Sequence, residues 1–146
     1  MNNIKNGKVA NINTIGYEIC LIARKIHQNL TIKFKEFDIT PEQWVILKEL
    51  SKEDKISQNE LSFRVEKDKN NIKAIIDKLE KKGYLLRQEN LNDKRAFLIR
   101  LTDKAYLLIN KLKDIDIEFN NELSKNINEK DIELFKIFLT KLKENL

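Results

Sequence analysis

The sequence has few of the residues on which most enzyme and secreted-protein chemistry depends. It contains one cysteine, one histidine, one proline and three glycines. A lone cysteine, Cys20, excludes an internal disulfide and points to a reducing, cytoplasmic setting. One histidine, His27, and one cysteine cannot assemble a nitrogen- and sulfur-liganded metal centre. There is no glycine-rich phosphate loop and no Ser/His/Asp set, so neither an enzyme nor a bound cofactor is expected. No run approaches the roughly 18 uninterrupted apolar residues of a membrane span. Residues 1–8 are polar and lead into no apolar signal core.

The scarcity of glycine and proline leaves a chain built for helices. Hydrophobic residues make up 41% of 146 positions, enough for one domain with a real core. The net charge of +5 is unevenly placed: residues 57–104 carry 12 basic and 8 acidic side chains, residues 1–56 carry 9 and 7, and residues 105–146 carry 7 and 8. A basic middle third is compatible with a polyanionic partner, although a surplus of this size is also found on ordinary solvated surfaces.

Residues 1–12 are polar and expected to fray. From Thr14, Ile15, Ile19, Ile22, Ile26 and Leu30 recur at helical spacing, and the helix is expected to run to Phe37. Asp38 and Ile39 break it. Thr40-Pro41-Glu42-Gln43 has a capping threonine, proline at the first helical position and a glutamine able to reach back to the cap. Trp44, Leu47 and Leu50 then share a buried side, where Trp44 is better read as core than as a ligand-pocket wall. Ser57-Gln58-Asn59-Glu60 forms a second capping box, opening a short helix with Leu61 and Val65. Glu66 and Lys67 make a tight connection to a third cap, Asp68. The helix after it carries Ile72, Ile75, Ile76 and Leu79 on one face and ends at Gly83.

Beyond Gly83 the period changes to two. Tyr84 to Glu89 and Ala96 to Leu101 read as strands around the polar tip Asn90-Leu91-Asn92-Asp93-Lys94-Arg95, with Phe97, Ile99 and Leu101 on one face. Thr102 caps a long helix, and Asn128 caps a last one carrying Ile132, Phe135, Phe138, Leu139 and Leu142. A short helix, tight turn, longer helix and hairpin in that order make a winged helix-turn-helix, whose second helix fits the major groove of DNA.

Three segments carry a family resemblance. The run from Asp68 to Leu85 resembles the recognition helix of the MarR/SlyA family of bacterial transcription regulators. The run from Asn92 to Thr102 is similar to that family's wing, with its Asp-x-Arg signature at Asp93 and Arg95. The run from Ile39 to Trp44 resembles the start of its second helix. The resemblance implies a fold that is mainly α with a small β-hairpin wing. It would form a single domain over residues 1–146: a winged helix-turn-helix at 40–101, and dimerisation helices at 14–37 and 105–146. It further implies a homodimer on a pseudo-palindromic operator in double-stranded DNA, in a bacterial cytoplasm, usually a repressor released by a small-molecule effector or an oxidant. The effector cleft that the family would supply is not assigned to residues. Asn70-Asn71 and Lys73-Ala74 stand where the family commonly has Ser-Thr and Thr-Arg, which keeps base-reading chemistry but alters the operator it would select.

The candidate DNA-binding residues are therefore Ser57, Lys69, Asn70, Asn71, Lys73, Lys94 and Arg95. Arg95 would enter the minor groove or bind phosphate, and Asp93 would support the wing by steadying it. Cys20, set among apolar residues and one turn nearer Ile39 than a peroxide-sensing cysteine of this family would be, is expected to be buried and inert. His27 is expected to be a partly exposed helix residue. The stripe Phe135, Phe138, Leu139, Leu142 is expected to be buried, and favoured as a dimer seam over a monomer core. Two alternatives differ in kind: an activator or derepressor on the same fold, and a winged-helix protein-interaction module that does not bind DNA.

Overall fold

A computed structural model describes residues 14–146, so the polar stretch expected to fray lies outside the described residues. The chain divides into two compact units, Met1–Tyr106 and Leu107–Leu146. In the first unit, helix α1 spans Ile15–Phe34 and closes in a short 3-10 turn, Lys35–Phe37. Asp38, with φ of 54° in the left-handed region, ends it. Helix α2, Pro41–Lys52, starts where the capping box requires. The Thr40 hydroxyl accepts from the Gln43 amide at 3.1 Å, and the Gln43 side chain accepts from the Thr40 amide at 3.2 Å. Trp44, Ile46, Leu47 and Leu50 are buried, with Phe34 edge-on to Trp44 at 6.0 Å between ring centres.

Strand β1, Ile56–Ser57, leads directly into helix α3, Gln58–Arg64. Helix α4, Lys69–Lys81, and the strands β2, Leu85–Glu89, and β3, Phe97–Leu101, complete the winged unit. The sheet order is β1-β3-β2, all antiparallel, with Ile56 opposite Ile99 and Arg87 also opposite Ile99 on the other side. The expected two-stranded hairpin is thus three-stranded. β1 is two residues long and shows no alternation, and its partner lies about forty positions away, so no local pattern marks it. The Lys55 amide to Ile99 carbonyl bond and the Leu101 amide to Asp54 carboxylate bond extend the same attachment. Of the three residues expected on the inner face of β3, Ile99 and Leu101 are buried but Phe97 is exposed. Phe97 pairs with Glu89 at the open end of the ladder, beyond the reach of β1. Ser57 makes half of its expected capping box: it accepts from the Glu60 amide, while the Glu60 carboxylate turns to Arg64.

Helix α4 ends in a Schellman motif. The Tyr84 amide donates to the Leu79 carbonyl at 3.0 Å and the Gly83 amide to the Glu80 carbonyl at 2.9 Å, with Gly83 at φ of 82°. The Thr102 hydroxyl donates to the Gly83 carbonyl and accepts from the Ala105 amide, so it fastens the end of α4 to the start of helix α5, Asp103–Leu123.

In the second unit, the later part of α5 carries the buried Leu108, Ile109, Leu112 and Phe119. Helix α6, Glu129–Glu144, starts at Asn128, whose side chain accepts from the Asp131 amide. Two expectations of burial are corrected. Cys20 is exposed, because little of α1 is covered: Ile15, Ile19 and Ile22, on another side of the helix, are exposed as well. In the single chain the α6 stripe is also uncovered, against a monomer core and not against the favoured seam: Phe135 and Phe138 are 56% and 50% exposed, Leu139 and Leu142 are half-buried, and no α6 residue is buried. Helical spacing identifies a shared apolar face, but burial requires a second surface against it.

Gly83→Ala is expected to lower stability by about 1–2 kcal/mol, the cost of left-handed backbone in an L-residue. The added Cβ would meet only the Lys104 side chain, at 3.6 Å, so the loss is conformational rather than a collision. Urea unfolding followed by circular dichroism measures it, and Gly83→Asn should recover part of the loss.

Candidate nucleic-acid interface

All the sequence-predicted site residues lie in the first unit, at the end of β1 where it caps α3, on α4 and on the wing. Helix α4 is anchored by one face. Ile72, Ile76 and Leu79 are fully buried, a contribution of about 1.5–3 kcal/mol for each side chain. That anchoring turns Lys69, Asn70, Asn71 and Lys73 to solvent, and all four are exposed. Asp68 organises the first turn: its carboxylate accepts from the Asn70 and Asn71 amides at 3.0 and 2.9 Å and from the Asn71 side-chain amide. Asn71 therefore has its carboxamide oriented by the cap.

The turn between α3 and α4 is closed by buried Ser62, whose hydroxyl donates to the Lys67 carbonyl while the Lys67 amide returns to the Ser62 carbonyl. Glu66 takes the left-handed conformation at φ of 53° that reverses the chain. Arg64 bonds Glu60 at 2.9 Å and Glu53 at 2.8 Å, so it braces α3 against the loop after α2.

The wing tip, residues 90–96, consists of two Asx turns. The Asn92 amide donates to the Asn90 side chain and the Arg95 amide donates to the Asp93 carboxylate, each at 3.0 Å. Asp93 thus meets Arg95 through the backbone, shaping the turn from which the arginine projects. Lys94 and Arg95 are exposed. Ser57 lies across from Arg95: with Gln58, Asn59, Arg87 and Phe97 they line one hollow of about 230 Å³.

Three residues of this surface escaped the sequence reading. Gln58 and Asn59 join Ser57 because they form the first turn of α3. Arg87 had a legible signal: it shares the inward face of β2 with Leu85, and a charge there needs partners. It finds them on α4, with Asp77 at 2.5 Å and Glu80 at 2.7 Å, while Asp77 also holds Lys73 at 2.8 Å. Lys73 and then Arg87 hold the Asp77 carboxyl below its ordinary range. Burial works against the Arg87 charge, but Asp77 and Glu80 outweigh it and push its pKa up. Elsewhere in the unit, exposed His27 bonds Glu42 across α1 and α2.

A solvent-facing helix with amide and ammonium groups, preceded by a braced short helix and followed by a basic three-stranded wing, defines a winged helix-turn-helix. Residues 39–97 match the MarR family. The HTH-type transcriptional regulator SarZ of Staphylococcus saprophyticus is 30% identical over 121 residues, 80% of this chain and 83% of that protein. The HTH-type transcriptional regulator BilQ of Clostridioides difficile is 28% identical, covering 80% and 78%. The S. aureus MepR–DNA complex superposes with a TM-score of 0.87 at 27% identity, covering 91% of this chain and 98% of that one. A cysteine-to-serine mutant of E. coli MarR complexed with operator DNA gives 0.82 at 25% identity, covering 87% and 91%. The chain belongs to the MarR family of transcriptional regulators.

Removing the cap on α4 should loosen its first turn. Asp68→Ala is expected to cost about 1 kcal/mol. Amide hydrogen exchange at Asn70 and Asn71 should accelerate while that at Ile76 and Leu79 follows only the global change.

Proposed function

We propose that the protein is a homodimeric repressor that reads a pseudo-palindromic operator and is released by a small ligand. The observation that carries this reading is the joint placement of Lys69, Asn70, Asn71 and Lys73 on the open face of α4 with Lys94 and Arg95 on the wing, inside one compact unit. In the major groove the two asparagines can bond bidentately to adenine, and Lys73 can reach guanine or phosphate. Arg95 extends into the flanking minor groove, where its charge is favoured by a narrow, negative channel. A backbone phosphate fits the hollow between the Ser57 hydroxyl and Arg95. Support comes also from the relatives: the MepR and MarR structures named above are complexes with DNA.

The homodimer reading rests on the apolar surface that the single chain leaves open. Ile15, Ile19 and Ile22 on α1 and Leu134, Phe135, Ile137 and Phe138 on α6 are all more than a third exposed. Faces of this kind are costly in water and are ordinarily closed by a second subunit. No described helix is long and apolar enough to cross a membrane. A basic, amide-rich reading face also argues against the protein-interaction alternative.

Selection from a randomised duplex library, followed by fluorescence anisotropy with the enriched sequence, tests the DNA reading. The expected result is a two-fold-related consensus with half-sites about 10 base pairs apart. Arg95→Ala and Lys73→Ala should each weaken binding about fivefold or more and lower the salt slope by about one. Failure to enrich any sequence would bring the protein-interaction module forward. Light scattering at micromolar concentration is expected to give a dimer mass, and Phe135→Glu with Phe138→Glu should give the monomer. A monomeric parent protein would overturn the seam.

A further inference from the structure

The acidic residue in the middle of the reading helix is not explained by attraction to DNA. Asp77 lies one turn beyond Lys73 on α4 and is 43% exposed at its side chain, beside the surface just assigned to a polyanion. Its carboxylate is divided between Lys73 at 2.8 Å and Arg87 of β2 at 2.5 Å. The two cations differ in what else holds them. Arg87 has a second carboxylate, Glu80, at 2.7 Å. Lys73 has no hydrogen bond or ion pair among the described residues other than the one to Asp77.

From this asymmetry we infer that Asp77 is a specificity-determining residue, masking Lys73 from phosphates on non-operator DNA and giving it up only where operator bases seat the helix closely. The inference rests on the reading of α4 as the DNA-reading helix. Binding to arbitrary sequence is driven almost entirely by phosphate neutralisation and counterion release. A lysine tied to a carboxylate contributes little to that term, and the carboxylate itself repels the backbone. Both effects weaken non-operator binding in full. On the operator, the base contacts of Asn70, Asn71 and Lys73 offset the exchange of Asp77 for a nucleic-acid partner. Lys73 and then Arg87 hold the Asp77 carboxyl below its ordinary range, so the carboxylate is charged in neutral solution. Since Arg87 keeps Glu80, removing the Asp77 charge does not leave a part-buried guanidinium without a carboxylate.

The test compares Asp77→Asn with the parent protein on two probes: the operator obtained by selection, and a mixed-sequence duplex lacking it. Asp77→Asn is expected to raise affinity for the mixed-sequence duplex about five- to tenfold at low salt and steepen its salt slope by about one. Operator affinity should change less, so the ratio of the two falls. The double variant Lys73→Ala with Asp77→Asn should lose most of the gain, because the released cation is absent and only the relief of carboxylate repulsion is left. Glu80→Gln makes the same change in net charge and should give a clearly smaller gain.

A carboxylate that merely braces the wing predicts losses on both probes. The inference is overturned by no gain from Asp77→Asn, by an equal gain from Glu80→Gln, or by a gain that survives Lys73→Ala undiminished. Circular dichroism monitors folding, and Asp77→Ser is read in the same way if the asparagine variant unfolds. Unfolding of both would assign Asp77 a structural role and overturn the inference. A parent protein without operator preference overturns the DNA reading itself, whereas an operator-preferring parent with an inert Asp77→Asn overturns only the masking role.

Discussion

The winged unit depends on the burial of one face of α4. Ile72, Ile76 and Leu79 have no solvent exposure, and the rest of the helix is oriented by them. A helix has one rotational freedom about its axis, and three fully buried side chains within two turns remove it. The outward direction of Lys69, Asn70, Asn71 and Lys73 is therefore a consequence of apolar packing. The two ends are then set by polar groups: Asp68 satisfies the amides of the first turn, and the Gly83 motif satisfies the carbonyls of the last. From Gly83 the chain enters β2, and Thr102 brings it back to the same carbonyl.

Electrostatics divides the cations of this unit into two kinds. Arg64, Arg87, Lys82 and Lys104 are engaged within the fold. Arg64 and Arg87 are each held by two carboxylates. Lys82 ties the end of α4 to Asp38, and Lys104 bonds the Lys82 carbonyl while lying over the Tyr84 ring. Lys94 and Arg95 project from the wing tip. Net charge alone would count all of these equally, yet Lys94 and Arg95, like Lys69 on α4, face outward where a polyanion can approach. Lys73 stands between the two groups, exposed but paired.

The open apolar faces of α1 and α6 set the second requirement of the molecule. Each helix carries the stripe its sequence spacing promises, and in the single chain much of that stripe remains in water. The proposed homodimer would give these faces a partner of the same sequence. A second copy would also supply a second reading helix, and that is what couples oligomeric state to recognition of a symmetric site.

Much of this architecture was legible in the sequence because its signals are local. The Thr40 box, the Asp68 cap, the Gly83 stop and the Thr102 cap each depend on residues within four positions, and each stands where the spacing indicated. The outward set on α4 followed from the same helical period that identifies Ile72, Ile76 and Leu79. What tertiary structure alone decided were pairings between distant residues. β1 exists because Ile56 meets Ile99, Phe97 is exposed because that third strand stops short, and Arg87 bridges to Asp77 and Glu80 because β2 packs beside α4. Periodicity reports which side chains share a face. It carries no information on what covers that face, so Cys20 and the α6 phenylalanines were expected to be buried and are open. Local chemistry thus determined where each element begins, ends and faces, and contact between elements decided which surfaces were closed and which charges were left facing solvent.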